Sequence, residues 1–139
     1  MIHSTAAAAG ATALELVATT NVNAQAEAAA QRLKEGLNDL LSRMEIPGCA
    51  NGVAALVHIT LGVAHDCDGG ICKLPHEQIR AAMPGPRVGA LKRSLINAGV
   101  DALGGRTYVL SATHREQDLD FTIGAFEEAL AAMRKEGFV

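Results

Sequence analysis

The sequence has no tryptophan, and its aromatic residues are Tyr108, Phe121, Phe126 and Phe138. The core must therefore come from alanine, valine, leucine and isoleucine. Small side chains bury little area each, which sets a modest stability on the chain's own resources. Cysteine is scarce as well. Cys49, Cys67 and Cys72 are too few, and odd in number, for a disulfide scaffold. Basic charge is not in excess: 12 Lys and Arg against 15 Asp and Glu give a formal net charge of -3. That removes the basic face a nucleic acid or an anionic lipid surface would need. No apolar run approaches the length of a bilayer crossing. Met1-Ile2-His3-Ser4-Thr5 lacks a basic segment, so Ala6–Ala9 reads poorly as a signal peptide, and cytoplasmic residence is the expectation. At 139 residues the chain fits one domain, or a piece of a larger one.

Alanine is abundant at the start. Residues 6–18 combine alanine with Leu14, Leu16 and Val17, and alanine's helix propensity predicts a helix despite Gly10. Asn21 or Asn23 can cap the next helix. There Ala26, Ala30, Leu33, Leu37, Leu40, Leu41 and Met44 recur at steps of three and four, one apolar stripe over about 23–44, which Pro47-Gly48 ends. The run from Gly52 to Leu61 is β-branched and apolar on both faces, as in a strand buried on two sides. Residues 62–85 read as irregular. Pro86 fits the first turn of a short helix carrying Val88, Leu91, Leu95 and Ile96, with Gly99 just past its end. Residues 100–103 and 107–111 read as short strands around Gly104-Gly105-Arg106. Thr113 and Glu116 form a capping-box pattern. A last helix carries Leu119, Ile123, Phe126, Leu130 and Met133 on one stripe. The order ααβ-loop-αββα predicts an α+β fold, a small sheet with helices packed on one face.

Several segments resemble class-III, fold-type-I, pyridoxal-phosphate-dependent aminotransferases. Ala7–Leu14 looks like the helix after that family's phosphate-contacting loop. Gln31-Arg32-Leu33 through Leu41 resembles its long "ERL…GL…L" helix, and Ile46-Pro47-Gly48 to Ile59 resembles the first strand of its C-terminal domain. Leu91–Val100 is similar to the "L…LL..GV" unit. Ser111-Ala112-Thr113-His114 with Glu116–Leu119 resembles the "SAAHT.EDI" segment of glutamate-1-semialdehyde aminomutases. The resemblance implies the small C-terminal domain of a PLP-dependent transferase over 23–139. Residues 1–22 would be a helix carried over from the large domain. It also implies a homodimer, a small amino acid or keto substrate, and amino-group transfer through a PLP aldimine in the full enzyme.

The Schiff-base lysine, the acid that pairs with the pyridinium nitrogen and the phosphate cradle are expected upstream of this chain. No catalytic or cofactor-binding residue is therefore assigned, and the chain alone is expected to hold no cofactor and to be inactive. Lys34 and Lys135 read as polar helix positions, Lys92 lies next to Arg93 on a helix, and Lys73 falls in the irregular stretch. None sits beside a buried strand that would make it a nucleophile. The resemblance places Arg106 and His114 near the substrate entrance. The plain alternatives are a solvated turn arginine and a structural histidine. Gly104-Gly105 would let the backbone near Arg106 approach a ligand.

His65, Cys67, Cys72 and His76 supply zinc-type ligands in one loop, but at H-x-C-x₄-C-x₃-H, which is not a finger spacing. No metal residue is assigned, and a zinc protein centred on 65–76 remains the weaker alternative. A stand-alone binding or assembly module is the stronger one. Ser111, His114 and Asp118 have no nucleophile elbow and do not signal a hydrolase. The expected partners are a missing large domain or a second copy of the chain.

Overall fold

The computed structural model describes residues 4–64 and 69–139. Its elements are α1 (Ser4–Thr19), α2 (Val22–Arg43), β1 (Gly48–Asn51), β2 (Leu56–Leu61), α3 (His76–Ala82), α4 (Gly85–Asn97), β3 (Thr107–Val109) and α5 (Glu116–Lys135). The strands form an antiparallel sheet in the order β1-β2-β3. No helix among the described residues is long and apolar enough to cross a membrane.

The α2 stripe is buried as its spacing requires, from Ala26 through Leu41. The helix stops earlier than Pro47. Glu45 takes a left-handed φ of 54°, and Ile46 N–H donates to Leu41 O at 3.0 Å. That bond pattern satisfies the last carbonyls and turns the chain before the proline. On α5, Leu119, Phe126, Leu130 and Met133 are buried and Ile123 is partly buried. Helix α2 packs on β1 and β2, α5 packs on α2, and α4 packs on α5. Gly36 is the close point between α2 and α5: a Cβ there would lie 2.2 Å from Ile123 Cδ1.

Several expectations about the strands and the 62–85 stretch need correction. The run from Gly52 to Leu61, expected as one strand, is a strand only over Leu56–Leu61, which pairs as a hairpin with Gly48–Asn51 just ahead of the run. Gly52, at a φ of 153° that side chains resist, opens the turn between them. Burial on both faces holds only at the far end of β2. Val57, Ile59 and Leu61 are fully buried and Thr60 is nearly so, but Leu56 is 45% exposed. Residues 62–85 are not all irregular, because they contain α3. Residues 100–103 make no strand, and only Leu103 bridges to Thr107.

The returning segment at 69–72 bonds to the end of β1 and the turn that follows it. Gly52 N–H donates to Gly69 O and Gly70 O at 3.2 and 2.9 Å. The Asn51 amide, oriented with its nitrogen toward His58 O and its oxygen toward Cys72 N, makes bonds of 3.0 and 2.9 Å. Lys34 closes the same corner. It is 7% exposed, and its Nζ donates to Gly52 O at 3.1 Å and to Gly69 O at 2.9 Å. This overturns its reading as a polar helix position. Four residues after Ala30 and three before Leu37, it stands on the buried stripe, where an ammonium needs fixed acceptors.

Candidate functional site

Two places carry the polar residues of interest, and they are separate. The first is the corner where β2 meets the turn before β3. Ile59 N–H donates to Arg106 O at 2.9 Å, which fixes the Arg106 backbone against β2. Its half-buried guanidinium has no hydrogen-bond or ion-pair partner among the described residues. His58 stands opposite Thr107 in the ladder, and its Nδ1 lies 2.9 Å from Thr107 Oγ1. Burial first, and the Arg106 charge second, hold His58 below the ordinary histidine value of 6.5.

The two glycines before Arg106 differ: nothing lies within 4 Å of a Cβ built on Gly104, whereas Gly105 is packed. A Cβ at Gly105 would sit 2.8 Å from Lys92 Cβ and 3.3 Å from Val88 O, so this glycine lets the turn pack on α4.

A pH prediction follows from His58. Its folded value lies below its unfolded value, so between the two the unfolded chain binds more protons. The stability contribution is full above 6.5 and is lost as pH falls toward the folded value. Thermal midpoints measured from neutral pH to about one unit below the ordinary histidine value should decline. His58→Gln should flatten that decline, and an unchanged slope in the variant would refute the assignment.

The second place is a crevice of about 260 Å³ between β3, α2 and the start of α5. Leu33, Val100 and Leu119 give it apolar walls, and Asp101, Thr107, Tyr108, His114 and Thr122 give it polar groups. An adjoining crevice of about 320 Å³ shares His114 and Leu119 and runs along Gln25, Ala28 and Ala29. His114 thus stands between the two, and Arg106 lines neither. Burial pushes the Tyr108 phenol up from its ordinary range.

His114 is held by its own turn. Its Nδ1 accepts from Ser111 N–H at 2.9 Å and lies 3.1 Å from Ser111 Oγ. The neutral ring therefore carries its proton on Nε2. Asp118 does not orient it, because that carboxylate accepts from Arg115 N–H at 2.8 Å. The capping expected from Thr113 and Glu116 is displaced to Arg115 and Asp118. The carboxylate half of the box is what forms, since a guanidinium cannot accept a bond. Glu116 and Asp118 at the start of α5, with Arg134 and Lys135 at its end, complement the helix dipole.

Neither crevice is lined by a lysine among the described residues. Lys73, Lys92 and Lys135 are exposed, and Lys34 is bound to two carbonyls. These residues do not fit the aldehyde of pyridoxal phosphate, and no step is derived through it. Of the zinc-type ligands, His65 and Cys67 lie outside the described residues, whereas His76 begins α3. Among the described residues no group of three or more His, Cys, Asp or Glu is placed to hold a metal. Cys49 on β1 is disulfide-bonded.

The sequence matches no family profile and no curated protein. Solved structures do match. An omega-transaminase from Sphaerobacter thermophilus aligns with a TM-score of 0.63 and 21% identity over 79% of this chain and 24% of its own. A glutamate-1-semialdehyde aminomutase from Pseudomonas aeruginosa PAO1 aligns with a TM-score of 0.69 and 17% identity over 83% and 24%. The FumI protein of Sphingopyxis sp. MTA144, solved in its PLP internal aldimine form, aligns with a TM-score of 0.66 and 21% identity over 89% and 26%. The fold is that of the small C-terminal domain of PLP-dependent transferases. The chain spans about a quarter of the length of these transferase-fold structures. Fold alone does not carry activity.

Sequence reasoning missed Lys34, His58, Asp101 and Tyr108. The first two had a signal, a polar residue inside an apolar period. Asp101 and Tyr108 had none, because the crevice joins residues from three distant segments.

Proposed function

We propose that this chain is the C-terminal part of a PLP-dependent aminotransferase or aminomutase, closing over a site whose cofactor is held elsewhere. The observation that carries the reading is coverage. From 79% to 89% of this chain superposes on an omega-transaminase, an aminomutase and a protein solved with PLP, yet it matches only a quarter of each. When bound, pyridoxal phosphate supplies the electron sink for amino-group transfer. The part assigned to this chain is positioning. The unpartnered Arg106 guanidinium suits a substrate carboxylate, which it can grip bidentately. His114 stands near the entrance and presents Nε2–H.

In this reading residues 1–22 belong to the large domain and residues 23–139 are the small domain. Support comes from α1, which has no buried residue over its 16 positions and leaves Leu14 at 72% exposure. A large domain or a second copy would cover it. The substrate class is a small amino acid or keto acid. A stand-alone binding or assembly module is the second reading, favoured by a contiguous core running from Ala29 to Met133.

The test is direct. Purified chain incubated with pyridoxal phosphate and then borohydride should show no stoichiometric label at any one lysine and no amino transfer. One fully labelled lysine with turnover would overturn the assignment of the cofactor to another part.

A further inference from the structure

We infer that Cys49 and Cys67 form a redox latch: their disulfide holds the 69–72 segment against the end of β1, and a dithiol that reduces it releases that segment and opens Lys34 to solvent. The latch belongs to this chain's own residues and does not depend on the proposed function.

The sequence has three cysteines. Cys49 on β1 is disulfide-bonded, and Cys72 is not. Within one chain that leaves as partner Cys67, which lies outside the described residues. The bond ties the chain just ahead of Gly69 to β1. Side chains alternate along β1, so Cys49 and Asn51 point away from Ala50, which belongs to the hydrophobic core. Cys49 is nevertheless 1% exposed, as is Thr60 opposite it in the ladder.

Apolar burial does little to hold the segment. Gly69 and Gly70 have no side chain to pack, and Ile71 is 74% exposed. Hydrogen bonds join it to the hairpin and to α2: Gly52 N–H donates to Gly69 O and Gly70 O, Lys34 Nζ donates to Gly69 O, and Cys72 N–H donates to the Asn51 amide. A stretch with two glycines gains much backbone freedom when it lets go. A cross-link beside it removes that freedom by closing the loop. Lys34 reports the change. It is 7% exposed, and one of its two carbonyl acceptors, Gly69 O, lies on the segment. Once that acceptor leaves, the ammonium keeps Gly52 O alone and turns to water.

The step is a thiol–disulfide exchange. The dithiol gives two electrons and two protons, the S–S bond breaks, Cys49 and Cys67 become thiols, and the reductant closes its own disulfide.

The experiment uses the 139-residue chain purified without reductant, compared before and after dithiothreitol. Digestion of the oxidised chain should yield a peptide linking Cys49 to Cys67. Reduction should speed exchange of the Gly52 amide at least about tenfold. Val57 and Ile59, whose amides face β3, should change little. Acetylation of Lys34 by a limiting dose of N-hydroxysuccinimidyl acetate should rise severalfold. Cys67→Ser should show the reduced behaviour with or without dithiothreitol, and Cys72→Ser should switch like the parent. Absence of the linked peptide, equal Gly52 exchange and Lys34 labelling in the two redox states, or a rise at Val57 and Ile59 as large as that at Gly52 would each overturn the inference.

Discussion

Replacing Phe126 with alanine should destabilise the domain by about 3–5 kcal/mol. Phe126 is fully buried on α5 and is the largest of the side chains with almost no exposure. The rest of the core is mostly aliphatic and alanine-rich, and a close-packed interior relaxes only in part around a lost ring. Domains of this size hold roughly 5–15 kcal/mol in total, so the variant should lose much of its margin. Urea denaturation followed by circular dichroism measures it, with the midpoint falling at unchanged slope. Phe121, one turn and a half earlier and 58% exposed, is the control, and its alanine variant should cost less than about 1 kcal/mol. Equal costs at the two positions would mean that α5 does not present the face described.

Gly52→Ala should have the second large effect, about 3 kcal/mol. At a φ of 153° a Cβ would stand 2.0 Å from Leu56 O and 2.9 Å from Leu56 C. Those are backbone atoms, so no rotamer change relieves the contact. The same residue donates to Gly69 and Gly70 and accepts from Lys34. Moving it disturbs the hairpin turn and the returning segment together. Thermal unfolding and amide exchange at Val57 and Ile59 would report the loss. Gly10→Ala, in α1 with nothing within 4 Å of its added carbon, should be neutral or slightly stabilising. A Gly52→Ala protein as stable as the parent would show that the turn is built differently.

The helices were legible because their burial is periodic. The α2 and α5 stripes name their own buried residues, and Gly99, at a φ of 90°, marks the end of α4 as expected. The sheet was harder to read. The expected strand began at Gly52, so the Asn51-Gly52 pair, a dipeptide that favours a turn, was passed over at the edge of the run. The cap of α5 slipped by two residues. Thr113 and Glu116 fit the pattern, but Thr113 Oγ1 pairs with Ser111 Oγ at 2.8 Å, leaving Asp118 to hold the helix start. Arg106 and His114 were both picked out by resemblance. The fold sets one beside His58 and the other between two crevices, a separation that depends on strand register.

The central claim is that this domain works on a cofactor held outside its own residues. It is tested most directly on the native protein. An antibody to this chain would recover it from its source cells after borohydride reduction, and mass spectrometry would read the polypeptides and any pyridoxyl-lysine. The account predicts pyridoxyl-lysine on a segment outside these 139 residues, either in a longer polypeptide of about three and a half times this length or in a tightly held partner. Recovery of a lone 14.4 kDa chain with no pyridoxyl-lysine on it or on any companion would contradict that account.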